Sequence, residues 1–197
     1  MFESASIARW LSRVFHPLII SPVTLSWLVF RTTSSYRQTI WWTGLALLIV
    51  IFPVAIWIGY NKRAGRYSSW SVSIRSHRRS LYIFGLVCLM LFIVALHVWD
   101  GPQIAIASLY AAALAAALSA LANQFITKIS LHSMALIGCA TALLLAGDLV
   151  TSGVYLLILF PMGWSRVFLG EHSVLQLTLG ALIGTGSVFL IFPIAYF

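Results

Sequence analysis

The sequence predicts an all-α membrane protein, a polytopic transmembrane helix bundle of six to seven spans, and three observations carry that prediction. First, 61% of the residues are hydrophobic and only 8% are charged. A water-soluble domain carries about a quarter charged residues, so this chain cannot cover a soluble surface. Second, the chain divides into runs nearly free of charge: residues 14–30, 39–60, 81–99, 102–127, 129–147, 149–165 and 173–197. Third, stretches such as 45–58 and 111–120 show no apolar–polar alternation. Barrel strands alternate over about ten positions. A backbone in lipid has no water to bond, so helices follow.

A span needs about 20 apolar residues. Runs 39–60, 81–99, 102–127 and 173–197 meet that, runs 14–30 and 149–165 are short, and run 129–147 is borderline. The first run follows Arg9 and Arg13 as a signal peptide would, but it contains Pro17 and Pro22 and has no clear small-residue cleavage site. It reads as a retained first span. Trp41, Trp42, Trp57 and Tyr60 near span ends form the usual aromatic belt. The small-residue run 111–120 and Gly180, Gly184 and Gly186 let helices approach closely. Gly180 and Gly184 match GxxxG, which in a bundle is read as internal packing. Cys88 and Cys139, each inside an apolar run, read as buried thiols. Residues 1–197 thus form a single integral membrane domain, whose oligomeric state stays open.

Twelve Lys and Arg stand against four acids. Six of the twelve are Lys62, Arg63, Arg66, Arg75, Arg78 and Arg79, in a loop without an acid. Lys128 and Arg166 stand alone between apolar runs, with His132 and His172 nearby. Two spans separate Arg79 from Lys128, and two more separate His132 from Arg166. An even number of crossings returns the chain to the same side, so these three segments should share one face. On a seven-span count the N-terminus joins them, leaving only Arg31 and Arg37 opposite. The positive-inside rule then puts that face in the cytoplasm. Topology alone does not account for Lys128 and Arg166, because ionisable groups in apolar surroundings are costly and mark a site.

A cation-rich, acid-poor pocket with two histidines suits phosphate. Arginine binds phosphate oxygens through a planar fork and keeps its charge. Clustered cations also stabilise the charge of a phosphoryl transition state. One imidazole can attack phosphorus while the other protonates the leaving oxygen. Glu3, Asp100, Asp148 and Glu171 are too few and scattered for a Mg²⁺ or diphosphate-binding carboxylate site, so no metal and no cofactor is expected. Gln176, four residues after His172, can orient its ring. Ser130 precedes an apolar run and reads as a helix N-cap facing an anion. His16 and His97 lack a cationic neighbourhood in the sequence and read as interfacial. Asp148 reads as a cap at a span end.

These patterns resemble the type 2 phosphatidic acid phosphatase superfamily. Its third motif, Ser-Arg-x5-His-x3-Asp, is matched by Ser165, Arg166 and His172, with Gln176 in place of the final carboxylate. Its second motif, Pro-Ser-Gly-His, reads here as Ile129-Ser130-Leu131-His132. Its first, Lys-x6-Arg-Pro, is met only by Arg79, with Val72 where the lysine belongs. The resemblance runs from about Ser73 to Gly184. It implies His172 as the nucleophile, His132 as the acid, and Arg166, Ser130 and Arg79 as phosphate ligands. Arg75 or Arg78 would replace the missing lysine, and Lys128 would add a cation.

The expected activity is metal-independent hydrolysis of a lipid phosphate or diphosphate through a phosphohistidine. Phosphatidic acid, phosphatidylglycerol phosphate and prenyl diphosphates all fit. The expected partners are that substrate and membrane lipids, not nucleic acid. The expected location is the plasma membrane of a prokaryote, with the site on the cytoplasmic face. The rival readings are a lipid-phosphate transporter or flippase, and a phosphatase-like binding protein without turnover.

Overall fold

The computed structural model describes residues 2–72 and 74–196. Ser73, where the family resemblance begins, and Phe197, at the end of the last apolar run, lie outside the described residues.

Helix α1 (Phe2–Val14) is amphipathic, with Ile7 and Trp10 exposed beside the basic Arg9 and Arg13. It meets α2 (Pro17–Thr33) at a 44° bend. Pro17 forces that break: it cannot donate to the preceding turn, and it suits the first position of a new helix. Next comes one long helix in three parts: α3 (Tyr36–Ala46), a π-turn (Leu47–Ile51) and α4 (Phe52–Arg63). Pro53 explains the π-turn, since its ring would clash with the carbonyl four residues back and the wider turn absorbs the extra room. The basic loop leads to α5 (Arg78–Val98), followed by α6 (Gln103–Phe125), α7 (Leu131–Leu145), α8 (Leu149–Phe168) and α9 (Val174–Ala195). Among the described residues there is no strand.

Among the described residues, five helices are long and apolar enough to cross a membrane, or six if the bent α1–α2 pair makes one span. Six is the lower of the two expected counts, and the seventh candidate is short. Run 129–147 holds only the 15-residue α7, about 22 Å long at 1.5 Å per residue. Its ends are set by capping rather than hydropathy, because Ser130 starts it and Gly147, at φ +80°, follows its end. A short helix serves here because α7 lies inside the bundle. Leu136 and Leu143 are wholly buried, and α7 packs against α9, α8 and α2.

The α7–α9 crossing depends on glycine. A Cβ at Gly180 would come within 2.5 Å of the Ser130 carbonyl and the Ser133 hydroxyl, and one at Gly184 would strike the Met134 carbonyl. The GxxxG pair is therefore internal packing. A second core, around Phe92, Leu96, Ile104 and Phe192, joins α5, α6 and α9.

Candidate anion site

Every part of the site lies where one helix ends and another begins. Helix α8 ends in a Schellman motif. Gly170, at φ +66°, donates its N–H to Val167 O at 2.9 Å, and Glu171 N–H reaches Arg166 O at 3.0 Å. His172 N–H bonds the same Arg166 carbonyl at 3.2 Å. The chain thus folds back on Arg166, and the five-residue spacer brings arginine and histidine together.

Helix α9 then opens with a capping box between Ser173 and Gln176. Gln176 Oε1 accepts from Ser173 N–H at 3.4 Å and from His172 Nδ1 at 2.9 Å. The expected His172–Gln176 bond is present, but its basis differs. His172 precedes the helix, so the two residues do not share a helix face. The capping box fixes the amide oxygen, and that oxygen holds the proton on Nδ1. Nε2 is left with its lone pair, 3.5 Å from Arg78 Nη2.

Arg78 is 1% exposed. Its Nε donates to Val72 O at 2.7 Å, Nη1 to Ile129 O, and Nη2 to Ser71 O at 3.4 Å. Val72 holds φ at +44°, a costly conformation for a β-branched residue, and it presents this carbonyl to the guanidinium. Val72, where the motif resemblance would place a lysine, thus supplies a backbone acceptor instead.

Arg166 is also 1% exposed. Its Nη1 donates to Ser12 Oγ at 2.5 Å, and Nη2 lies 3.6 Å from Glu171 Oε2. Its Nε and Nη2 are buried without a hydrogen-bond partner. Lys128 Nζ donates to Glu171 O at 2.5 Å. Burial first, then Arg78, lowers the Lys128 pKa. Burial first, then Arg78, Lys128 and Arg166, lowers His172 to about 3, against a smaller opposing effect of Gln176. His172 is therefore neutral across the physiological range, the form in which an imidazole is a nucleophile.

Ser130 is the N-cap of α7. It is wholly buried, its hydroxyl accepts from Ser133 N–H at 3.4 Å, and its N–H bonds Gln176 O at 3.2 Å. Its hydroxyl serves the helix end. His132 donates from Nε2 to Ser12 O at 3.1 Å and packs edge-on against His16, ring centroids 5.1 Å apart.

Two expected phosphate ligands lie elsewhere. Arg79 is exposed, a helical step round from Arg78, and faces a shallow hollow with Asn123 and Gln124. Arg75 donates from Nε to Asn123 O at 2.6 Å and from Nη2 to Gln124 O at 3.1 Å. It caps the C-terminus of α6, as cations commonly do. Conversely, Ser12 and His16 belong to the cluster. His16 does have a cationic neighbour, Arg166, whose charge acts on its ring. Nothing local in the sequence marks it, because Arg166 lies on a distant helix.

The cluster has three cations, Arg78, Arg166 and Lys128, against the half-buried Glu171. Among the described residues, no three His, Cys, Asp or Glu side chains gather as around a metal. The arrangement can hold an anion and present it to a neutral imidazole. Compared with known proteins, the chain matches no family model, no curated protein and no solved structure.

Proposed function

We propose that this integral membrane protein is a phosphatase acting on a lipid phosphate or diphosphate through a phosphohistidine. The observation that carries the reading is Arg166. It is a buried guanidinium with two nitrogens lacking hydrogen-bond partners, in the same cluster as a histidine whose Nε2 lone pair faces a second buried guanidinium. Buried donors are almost always satisfied. Phosphate oxygens supply the missing acceptors, in the fork geometry that arginine prefers. The motif resemblance of Ser165, Arg166 and His172 points the same way.

In the proposed reaction, His172 Nε2 attacks phosphorus and the bond to the leaving oxygen breaks. Arg78, Arg166 and Lys128 stabilise the charge on the equatorial oxygens. His132 keeps its Nε2–H on the Ser12 carbonyl, receives at Nδ1 the proton that a monoanionic phosphate brings in, and passes it to the leaving oxygen. Water then attacks the phosphohistidine, returning its proton to His132 Nδ1 and releasing phosphate. Gln176 holds the tautomer of His172 throughout.

We place the protein in the plasma membrane of a prokaryote with the site facing the cytoplasm. The placement rests on ten of the twelve Lys and Arg lying towards the site end. Helix α9 starts at that end, so a reporter fused after it should report the external side; a cytoplasmic reporter would reverse the orientation.

The test of function is phosphate release by detergent-purified protein with excess chelator. The panel is phosphatidic acid, phosphatidylglycerol phosphate and a prenyl diphosphate, each beside His172→Ala. Release that survives chelation and vanishes in the variant is expected. No release from any lipid, with both proteins equally folded, would leave binding or transport of lipid phosphates as the better reading.

A further inference from the structure

Below the cationic site the bundle is hollow. A cavity of about 310 Å³ runs between α2, the π-turn and α4, α5, α6 and α7. Along α5 its wall is one face, repeating every turn from Arg78 through Gly85 to Phe92. The fourteen steps from Arg78 to Phe92, at about 1.5 Å each, make it roughly 21 Å long, somewhat more than the ~15 Å depth of one leaflet's hydrocarbon. The mean cross-section is then roughly 15 Å². Carbon atoms of neighbouring chains sit about 3.5–4.0 Å apart, so this bore takes one extended hydrocarbon chain and not two side by side.

The two ends of the cavity differ. At the site end it is lined by Arg78, Tyr82, His16 and His132. The Tyr82 hydroxyl lies near Arg78, buried and without a hydrogen-bond partner of good geometry. Beyond one turn of α5 the wall is almost wholly apolar, and Gly85, Ala112, Ala116 and Gly138 keep it open. A Cβ added at Gly85 would meet nothing within 4 Å. The chemistry thus runs from paired cation and imidazoles to hydrocarbon within one slot, and Arg78 is shared with His172.

We infer that this cavity holds the chain of a single-chain lipid phosphate, of prenyl or alkyl type, with its phosphate at the Arg78 end. The inference rests on the reading of the cationic cluster as a phosphate site, and it narrows the substrate class. Two-chain lipids such as phosphatidic acid would have to leave one chain outside.

Binding tests this without turnover. Hexadecylphosphonate and the two-chain phosphonate analogue of phosphatidic acid both carry a carbon–phosphorus bond that phosphatases do not hydrolyse. They are compared by calorimetry in mixed micelles at equal mole fraction, where partition into detergent cancels. The one-chain ligand should bind at least tenfold more tightly to the wild type. Gly85→Phe, which fills the bore, should reduce that preference to within twofold. Equal binding of the two ligands by the wild type would overturn the inference. So would a preference that survives in a Gly85→Phe protein with unchanged melting temperature. If Gly85→Phe does not fold, the wild-type comparison still decides. The one-chain preference without phosphate release from any lipid would keep the cavity assignment and remove the phosphatase reading. Release at equal rates from one- and two-chain lipids, with equal binding, would do the reverse.

Discussion

The bundle buries charge at both ends, and the two ends treat it differently. At the end away from His132 and His172, Asp148 caps α8. It accepts from Thr151 N–H at 3.1 Å and from Trp27 Nε1 at 2.6 Å, with Arg31 3.7 Å away. The indole hydrogen bond, more than any other contact, holds its carboxyl below the usual carboxylate range. Both carboxylate oxygens are occupied by donors from α2 and α8, and the result is a clasp between helices. At the other end, Arg78 and Arg166 are each 1% exposed, two nitrogens of Arg166 lack hydrogen-bond partners, and the nearby His172 imidazole is kept neutral. A charge surrounded by its own partners stabilises a fold. A charge buried with donors left over is a cost to the fold, and a bound anion can offset it.

The largest effect that would break this contrast is at Arg166. Arg166→Lys keeps the charge but loses the fork, and with it the pair of donors at Nε and Nη2. Removing one donor to a developing oxyanion typically costs about 10²–10³ in kcat, and that is the loss expected here, read as phosphate release in detergent. Melting temperature should fall little or even rise, because a poorly satisfied guanidinium has been removed. A variant that turns over normally would mean that the spare donors of Arg166 do not face substrate.

A smaller effect sharpens the role of Gln176. In the wild type His172 is neutral above about pH 3, so its protonation adds no acid limb to kcat/KM between pH 5 and 8. Gln176→Glu places a carboxylate against Nδ1, and an opposite charge at that distance raises the histidine by about 1–3 units. Falling pH then protonates the nucleophile earlier, and a limb should enter between about pH 4 and 6. The substrate's own ionisation near pH 6 is common to both proteins, so the difference between profiles isolates the imidazole. Superimposable profiles would show that residue 176 does not govern the state of His172.

Much of this was legible in the sequence, and the remainder was hidden for physical reasons. Apolar run length located the helices, and the parity of crossings put residues 128–132, 166–172 and the basic loop together. The bonds from Arg78 to Ile129 and from Lys128 to Glu171 now join those segments. Hydropathy could not find the ends of α7, because Ser130 and Gly147 set them through backbone conformation and capping. It could not say which of Arg75, Arg78 and Arg79 turns inward. Helix α5 begins at Arg78 after an irregular loop, so the loop's exit fixes the phase. Ser12 was out of reach altogether: its partners are 120 and 154 residues away, and a serine on an amphipathic helix carries no mark of them. Gly170 did carry a signal, a glycine shortly after a basic residue at a helix end.

The smallest effect on activity is expected at Asp148, and it tests the other half of the contrast. Asp148→Ala leaves the Trp27 indole and the Thr151 N–H without their acceptor. Loss of an N-cap costs about 0.5–2 kcal/mol, and loss of the part-buried indole hydrogen bond about 0.5–1.5 more. Melting temperature in detergent should therefore fall by several degrees, at about 2–4 °C per kcal/mol for a chain of this size. Phosphate release per folded molecule should stay within about twofold, since at most ~0.4 kcal/mol of barrier change separates the two proteins. Asp148→Asn keeps an oxygen for Thr151 and should lose less. If Asp148→Ala instead abolished release while melting normally, the far end could not be a mere clasp. A carboxylate paired with Arg31 across the bundle from a phosphate site would then have to be read as part of a transport path.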